Sequence, residues 1–398
     1  MGKWKMCKIG DLCDTISDTY KGTDEMVVLI NTSDVLDGKV LNHNLVPNEN
    51  LKGQFKKTFK QNDILYSEIR PANRRFAFVD FNNTERYIAS TKLMVLRPHE
   101  DMVLPQYLFA ILKSKEIIDE LQHLAETRSG TFPQITFSSE LAPMTVALPD
   151  FTIQKQIISI LSSIERKIDI NTAINENLEQ QAQAIFKSWF VDFEPFGGVM
   201  PDDWHECELD SICSLIIKGI TPKYIEQSDQ LVVNQKCVRN HQIDLALARC
   251  HVPKKINEKW LRYGDIIVNS TGTGTLGRAA QVLFDPSDLT VDSHVTIIRA
   301  AKHVYQLYLG FWATSHEHDF EALETGSTGQ TDLPRERLKQ MQIILPSDDV
   351  LNSFTQLVKP ICDIKMKNQH ENECLAAIRG TLLPKLMNGE IDVSKVSI

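Results

Sequence analysis

The sequence lacks the features of membrane and secreted proteins. It contains no apolar run near the ~18 residues that a membrane-spanning helix requires, and no cationic segment before an apolar stretch at its start. Its 8 cysteines form no Cys-x-x-Cys pair and have no His-x3-His partner, so their spacing predicts neither a zinc site nor a redox motif. We therefore expect reduced thiols and a cytoplasmic location.

Motifs for catalysis are also absent. The sequence has no phosphate-binding G-x-x-x-x-G-K-[ST] loop, no His-Glu-x-x-His pair and no G-x-S-x-G nucleophile elbow. It lacks the Asn-Pro-Pro-aromatic segment of amino-methyltransferases, and the Pro-Asp pairs at 149–150 and 201–202 have no E-x-K partner for a nuclease. His316 and His318 are better explained by a solvated helix face than by a metal site. These absences favour a binding protein without catalytic residues, metal ligands or a directly bound cofactor.

Length and charge narrow the class of partner. The 398 residues exceed one ordinary core, so we expect two or more domains. A net charge of −9 argues against general, charge-driven attachment to nucleic acid or membrane, but it does not exclude local basic patches. One candidate patch lies between Lys52 and Arg75, where basic residues outnumber Asp63 and Glu68. The alternative for this patch is an ordinary solvated surface.

The sequence contains an internal duplication at an offset of about 200 residues. The matched segments keep the same order and spacing, and the last pair closes each copy on Leu-Pro. They are WKMCKIGDLC (4–13) with WHECELDSIC (204–213), QNDILYS (61–67) with YGDIIVN (263–269), STKLMVLRP (90–98) with SHVTIIRA (293–300), PQYLFAIL (105–112) with YQLYLGFW (305–312), and 127–149 with 325–346. We infer a duplicated unit.

Each copy has the same predicted layout, an α+β domain followed by a long helix. Short apolar runs predict strands and a longer amphipathic stretch predicts one helix in each domain. The predicted strands are Met26–Ile30, Asp63–Tyr66, Leu93–Leu96, Asp265–Val268 and Val295–Ile298, and the predicted helices are Tyr107–Leu121 and Tyr305–Leu323. We divide the chain into a first domain (1–150), a first long helix (151–195), a second domain (196–346) and a second long helix with a C-terminal tail (347–398).

A stripe of mostly apolar residues, at alternating steps of four and three, runs through each long helix. This spacing predicts a coiled-coil seam. Asn171 and Asn175 of the first stripe match Asn368 and Asn372 of the second. Because a polar residue in a seam costs stability but fixes register and partner, the matched asparagines predict that the two helices pack on each other. The alternative, two unrelated surface helices, leaves the shared asparagines unexplained.

A glycine-rich segment, STGTGTLGRAAQV (270–282), has the G-x-G-x-x-G spacing of dinucleotide-binding loops. The duplication argues against that interpretation, because the first copy places SEIRPANRRFAFV (67–79) at the same position without glycines. In both copies the residues after the loop predict a second strand rather than the helix N-terminus that holds a pyrophosphate. We therefore predict a strand-to-strand loop whose tip varies on a common scaffold.

These segments resemble the specificity subunits of type I restriction–modification systems. The resemblance rests on the domain–helix–domain–helix order, on GDIIV (264–268) with its glycine loop, on GSTGQTDL (326–333), and on the helical segments 147–193 and 378–391. It implies two target-recognition domains that each read half of a gapped double-stranded DNA site, separated by an antiparallel coiled coil. It also implies two methyltransferase subunits and restriction/translocase subunits as partners, with S-adenosylmethionine and ATP with Mg bound by those partners.

The duplication and the resemblance together select candidate DNA-binding residues. A recognition domain must keep its core while it varies the side chains that read bases, so we expect the readers in the loops that differ between the copies. Arginine can donate two hydrogen bonds to guanine and glutamine can pair with adenine, whereas the alternative for each arginine is a phosphate contact. The candidates are Ser67, Arg70, Arg74, Arg75, Ser129, Thr131, Gln134, Ser270, Thr271, Thr273, Arg278, Ser327, Thr328 and Gln330.

The leading hypothesis is a non-catalytic DNA-specificity subunit that directs adenine methylation or restriction by partner subunits. A second hypothesis, from a different class, is a coiled-coil interaction scaffold or degenerate adaptor without DNA readout. The polar, donor-bearing loops beside basic residues favour the DNA reader. A free-standing enzyme ranks third because the catalytic motifs are missing.

Overall fold

The computed structural model describes residues 4–49, 53–128, 133–325 and 332–393. It divides into two compact units, Met1–Ile168 with Glu373–Ile398, and Asp169–Asn372. Both units combine helices with β-sheets, which confirms the predicted α+β class. Among the described residues, no helix is both long and apolar enough to cross a membrane.

The first unit contains the N-terminal strands and helices. Its strands are β1 (Lys5–Lys8), β2 (Cys13–Ile16), β3 (Met26–Ile30), β4 (Val35–Leu36), β5 (Lys39–Val40), β6 (Val46–Pro47), β7 (Phe55–Lys57), β8 (Ile64–Ser67), β9 (Phe76–Phe78), β10 (Tyr87–Ser90), β11 (Leu93–Pro98) and β12 (Thr145–Leu148). Its helices are α1 (Pro105–Leu112), α2 (Lys115–Arg128), the first part of α3 (Phe151–Phe190) and the last part of α7 (Asp348–Met387).

The second unit begins within α3 and contains a similar series of elements. Its strands are β13 (His205–Glu208), β14 (Cys213–Lys218), β15 (Leu231–Val233), β16 (Val238–Arg239), β17 (Gln242–Ile243), β18 (Arg249–Cys250), β19 (Ile266–Asn269), β20 (Ala279–Gln281), β21 (Leu289–Val291), β22 (Val295–Ala300) and β23 (Gln342–Leu345). Its helices are α4 (Gln306–Ser315), α5 (Glu317–Ala322), α6 (Arg335–Lys339) and the first part of α7 (Asp348–Met387).

A four-stranded antiparallel sheet in the order β2-β11-β8-β9 forms the centre of the first unit. All four residues of β8 are buried, so this strand is covered on both faces. Because side chains alternate across a strand, Ile64 and Tyr66 pack in the cluster that contains α1, whereas Leu65 packs with Val28 and Ile30 of β3. Burial on both faces explains why this strand is a continuous apolar run in the sequence.

The second unit has a central antiparallel sheet in the order β14-β22-β19-β20. Ile266 and Val268 of β19 pack in the cluster that contains α4, whereas Ile267 packs with Val233 of β15 and Val291 of β21. The pairing of β19 with β20 confirms the predicted strand-to-strand loop at the glycine-rich segment. Truncation of a fully buried side chain such as Ile267 to alanine costs roughly 2–5 kcal/mol of unfolding free energy.

An arginine–aspartate pair supports each central sheet at the same place. In the first unit, Arg97 of β11 donates from Nε and Nη2 to the Asp63 carboxylate at 2.8 and 2.7 Å. In the second unit, Arg299 of β22 donates from the same two nitrogens to Asp265, both at 2.7 Å. The planar guanidinium matches the carboxylate in this two-bond geometry, and each pair joins the two middle strands of its sheet.

The prediction of one continuous amphipathic helix in each domain is wrong, because each predicted helix is two helices in the structure. In the first unit the break lies at Lys113 and Ser114, and the Ser114 hydroxyl accepts from the Ile117 amide at 3.4 Å at the start of α2. In the second unit His316 leaves helical geometry, with φ −110° and ψ 20°, between α4 and α5. The apolar spacing continues across both breaks, so periodicity alone did not reveal them.

The long helices contribute to the core of each unit. In the first unit, Ile157 and Leu161 of α3 share a core cluster with Leu386 of α7. In the second unit, Phe190 of α3 has its ring centroid 4.9 Å from Phe354 of α7 and shares its cluster with α4. The helices are therefore part of the folded units rather than appendages to them.

Candidate nucleic-acid interface

In the first unit, a loop of residues 68–75 connects β8 to β9. Arg70 and Arg74 adopt left-handed backbone geometry, with φ of 46° and 54°, and the Ser67 amide donates to the Arg75 carbonyl at 2.8 Å. Ile69 forms an isolated β-bridge with Gln134. The loop is therefore held at its base and again near Gln134, and its shape is set before any ligand binds.

A cluster of polar side chains lies beside this loop and includes its first residue, Glu68. The Gln134 side-chain amide donates to the Glu68 carboxylate at 2.8 Å, and the Lys92 ammonium lies 3.7 Å from that carboxylate. Lys57 donates to the carbonyl oxygens of Thr91 and Leu93, and burial lowers the pKa of its ammonium group. Hydrogen-bond donors and acceptors thus lie beside positive charge at this loop.

The three candidate arginines of this loop differ in their contacts. Arg74 donates to the Asp37 carboxylate at 2.6 Å, and Arg75 donates to the Ser33 carbonyl at 3.0 Å. Arg70 is exposed, and its side chain makes no hydrogen bond or ion pair with the described residues. Arg70 can therefore reach a ligand without breaking an internal contact, whereas Arg74 and Arg75 would exchange one.

In the second unit, the glycine-rich loop of residues 270–278 connects β19 to β20 at the equivalent place. Gly272, Gly274 and Gly277 have φ of 102°, 72° and 86°, which L side chains rarely adopt. Asn269 donates from its side chain to the carbonyl oxygens of Gln235 and Thr275 at 3.0 and 3.1 Å. The glycines thus serve a tight loop between two strands.

Three candidate side chains on this loop are accessible from solvent. Thr273 is exposed, and Arg278 donates to the Gly274 carbonyl at 2.7 Å from a partly exposed position. Thr271 shares a 2.8 Å hydrogen bond with the Nδ1 atom of His294, and its hydroxyl donates to Gln235 at 3.3 Å. Thr271, Thr273 and Arg278 therefore lie where a ligand can meet them.

Two candidate serines lie inside the protein instead. The Ser270 hydroxyl shares a hydrogen bond with Thr296 at 2.5 Å and is fully buried. Ser67 is also buried, and its hydroxyl accepts from the Ile69 amide at 3.0 Å. Burial of these hydroxyls places them in support of the loop backbone, so in this structure they do not present a hydroxyl to solvent.

Several residues in or beside the two loops were not among the candidates. Lys92 and His294 each directly precede the matched strands β11 and β22, and Glu68 begins the first loop. Lys218 bonds Asp332, and Asp332 forms a β-bridge with Thr271. The alignment of STKLMVLRP with SHVTIIRA contained the signal for Lys92 and His294, because both lie between a variable position and a shared strand.

Buried Asp292 supports the backbone at His294, which contacts the second loop. Its carboxylate accepts from the His294 amide at 2.9 Å, and burial raises its pKa. Asp292 lies 20 residues after Gly272, the separation at which a dinucleotide site carries its ribose-binding acidic residue, but here its carboxylate accepts from a backbone amide. The candidates Ser129, Thr131, Ser327, Thr328 and Gln330 lie outside the described residues.

The four seam asparagines lie within the second unit and contact one another in pairs. Asn171 donates to the Asn372 side-chain carbonyl at 2.9 Å, and Asn368 donates to that of Asn175 at 2.9 Å. Asn175 also donates to the Lys365 backbone carbonyl at 3.1 Å. As the residue number rises along α3 it falls along α7, so within this unit the two helices run in opposite directions.

Comparison with known proteins shows a consistent pattern. A family described as "Type I restriction modification DNA specificity domain" matches residues 1–180. The chain is similar to the HindI specificity subunit of a type I restriction enzyme from Haemophilus influenzae, at 32% identity over 98% of this chain and 100% of that protein. It is also similar to the MjaIX specificity subunit from Methanocaldococcus jannaschii, at 27% identity over 75% of this chain and 71% of that protein.

The fold has a relative among solved structures. The crystal structure of a type I restriction–modification system S subunit from M. genitalium has a TM-score of 0.59 to this chain at 14% identity. The match covers 97% of this chain and 96% of the M. genitalium chain. Membership in the family favours the DNA-specificity hypothesis over the scaffold and over an enzyme. On its sequence similarity across nearly its whole length, the chain belongs to the specificity subunits of type I restriction–modification systems.

Proposed function

We propose that this chain recognises a two-part, gapped DNA site and directs adenine methylation, and restriction, by its partner subunits. The observation that carries the proposal is that the loops of residues 68–75 and 270–278 have equivalent positions and contacts in the two units. In each unit, the second residue after the central strand bridges to a later segment, as Ile69 to Gln134 and Thr271 to Asp332. An arginine directly precedes the outer strand in both, Arg75 before β9 and Arg278 before β20.

The two loops share the same strand framework but present different side chains, as two readers of different half-sites require. The first presents Arg70, Glu68 and Gln134, and the second presents Thr271, Thr273 and His294. Arginine suits guanine or phosphate, glutamine suits adenine, and a carboxylate can accept from the cytosine amino group. We assign residues 1–150 and 196–346 as duplicated target-recognition domains on this basis.

We also propose that α3 and α7 form an antiparallel coiled-coil spacer. The opposite-running contacts Asn171–Asn372 and Asn175–Asn368 in the second unit support this arrangement. DNA half-sites one helical turn apart lie about 34–36 Å from centre to centre. A spacer of two long helices suits a protein that reads two half-sites and leaves the base pairs between them unread.

Exposed apolar side chains on the spacer helices favour partner binding. Ile170 and Ile174 of α3 are 48% and 43% exposed, and Ile364 of α7 is 47% exposed. Isolated exposed isoleucines are common, but Ile170 and Ile174 lie one helical turn apart on the same face of α3, which suits a protein interface. We assign two methyltransferase subunits as partners, together with restriction/translocase subunits. S-adenosylmethionine, and ATP with Mg, would bind to these partners, which would flip the target adenine out of the duplex.

The proposal is tested by two matched variants in the complex with its methyltransferase subunits. The methylated sequence is first mapped in DNA modified by the wild-type complex. Binding of Arg75→Ala and Arg278→Ala complexes is then measured on that site and on each singly substituted half-site at fixed salt. Each variant should relax a position in one half-site only, and loss of a base contact should cost about 1–3 kcal/mol of binding free energy.

The scaffold hypothesis predicts a different result in the same experiment. If neither half-site loses discrimination in either variant, and affinity is unchanged, these loops do not read DNA. A uniform loss for all sequences would assign the arginines to phosphate contacts. If the wild-type complex modified no defined sequence, the proposed function itself would be wrong.

A further inference from the structure

A polar cluster in the second unit lies between the long helices and the second globular domain. Its centre is the Glu179 carboxylate of α3. The Lys365 ammonium of α7 donates to it, and His241 of the globular domain places Nδ1 3.4 Å from it. Three separate parts of the unit thus meet at one carboxylate.

His241 continues this cluster toward the recognition loop. It lies in the turn between β16 and β17 and has left-handed backbone geometry, with φ of 57°. Its Nε2 atom lies 3.8 Å from the Glu317 carboxylate. Glu317 in turn accepts from the backbone amide of Ala279 at 2.7 Å, and Ala279 directly follows Arg278 of the glycine loop. A chain of polar contacts therefore runs from the helix pair to the base of the loop.

The cluster is partly buried. The side chains of Lys365 and Glu179 are 19% and 24% exposed, and those of His241 and Glu317 are 30% and 32% exposed. The first three line a pocket of about 60 Å³ with Phe311 and Thr314 of α4. Burial lowers the pKa of Lys365 to about 8. Contacts between charged groups are stronger and more directional in such surroundings than at an open surface.

A second contact joins the same two parts of the unit. Gln183, one turn after Glu179 on α3, donates to the Thr314 hydroxyl of α4 at 3.0 Å and to Glu179 at 3.2 Å. Apolar packing of Phe186 and Phe190 also holds α4 against α3, but apolar contacts are not directional. The polar contacts are therefore the part of this junction that can define an angle.

We propose that His241 is a positioning residue that, with Glu179 and Glu317, fixes the angle of the second recognition loop on the helix pair and so restricts the gap length of the DNA site. The inference rests on the proposed function. One base pair of added gap moves a half-site by about 3.4 Å and turns it by about 35°. A rigid junction rejects such a site, whereas a loosened junction accepts it.

The test measures gap selectivity in the complex with its methyltransferase subunits. Duplexes carry both half-sites of the mapped sequence at the natural gap or at a gap one base pair longer or shorter. Methylation rates are compared for the wild type, His241→Ala and Glu317→Gln, with His318→Ala as the matched control. His318 is exposed, belongs to α5 beside Glu317, and lies outside the cluster.

We expect His241→Ala to raise the rate at altered gaps, relative to the natural gap, by about tenfold or more, because a misplacement near 1 Å can change a rate by up to about 100-fold. Selectivity for each base of the second half-site should not change. Glu317→Gln keeps an acceptor for Ala279 and should show a smaller broadening. His318→Ala should match the wild type. Thermal unfolding of each complex checks that the variants are folded.

Three outcomes would overturn the inference while leaving the proposed function intact. The first is an unchanged gap profile in both His241→Ala and Glu317→Gln. The second is an equal loss of rate at every gap, which indicates a structural role alone. The third is loss of base selectivity in the second half-site without a change in gap preference. A wild-type complex that methylates no gapped sequence would instead refute the proposed function.

Discussion

Removal of the aspartate from its arginine–aspartate pair should be more destabilising in the second unit than in the first. Asp265 is fully buried and accepts from Arg299 twice and from the Arg262 amide at 2.8 Å. Arg299 also donates to the carbonyl oxygens of Trp260 and Glu258 at 2.8 and 3.1 Å, and its side chain is only 11% exposed. Asp265→Ala thus leaves a charge with little access to water.

The equivalent pair in the first unit is a built-in control. Asp63 accepts from Arg97 twice and from the Lys60 amide at 2.8 Å, but the Arg97 side chain is 30% exposed. Breaking a buried pair by removal of one partner costs about 3–5 kcal/mol, and we expect that range for Asp265→Ala. Arg97 can regain water when Asp63 is lost, so we expect about 1–3 kcal/mol for Asp63→Ala.

Hydrogen exchange of backbone amides measures the two effects separately within one protein, because each unit reports through its own central strands. Asp265→Ala should accelerate exchange in β19 and β22, and Asp63→Ala should accelerate exchange in β8 and β11 to a smaller extent. A difference of about 2 kcal/mol corresponds to about a 30-fold ratio of protection. Equal effects, or a larger effect of Asp63→Ala, would contradict the argument from solvent access.

Three further predictions concern the loop, the seam and pH. Gly277→Ala should impair modification at the second half-site more than Gly274→Ala in a methylation assay, because a Cβ at Gly277 would lie 2.6 Å from the Glu317 carbonyl whereas Gly274 has open space, and both have positive φ. Asn175→Ala should lower stability by about 1–3 kcal/mol in thermal unfolding, because it leaves the Asn368 amide without its acceptor, and Asn175→Leu with Asn368→Leu should recover that stability. The hydrogen bond to Asp14 raises the pKa of His99, so the stability that this pair contributes is fully present below about pH 6.5 and is lost as pH rises through the folded-state pKa. Urea unfolding of His99→Gln across that range should therefore show a flatter dependence of stability on pH than the wild type. An unchanged pH profile would contradict this role of His99.

The central strands were predictable from the sequence because their burial on both faces produces continuous apolar runs. Met26–Ile30 was predicted with its observed bounds, and the strands at 64–67 and 266–269 within one residue of them. The glycine loop was predictable because the duplication supplied a second copy without glycines. The breaks at Ser114 and His316 were not predictable, because an interruption of one or two residues leaves the apolar spacing intact.

The sequence predicted that the two variable loops occupy equivalent places, and the structure shows this, but the accessibility of their side chains was not predicted. The two loops lie at equivalent edges, but no pattern in the sequence distinguishes the buried hydroxyls of Ser67 and Ser270 from the exposed side chain of Thr273. Burial depends on the neighbouring strand, where Thr296 meets Ser270. The cluster around Glu179 also escaped sequence analysis, because His241 and Glu317 are far from it along the chain and only the fold brings them together.

The position of the arginine–aspartate pairs has a consequence for how new DNA specificities arise. Asp265 precedes β19 and the glycine loop follows it, so the strand separates the anchored end of the sheet from the loop by about 13 Å, at about 3.3 Å per residue. Asp63 and the loop after β8 are arranged in the same way. Mutations that accumulate in either loop therefore act far from the contacts that keep the sheet folded. On the role proposed for these loops, a lineage of such proteins can explore many target sequences while its scaffold stays above the threshold of stability.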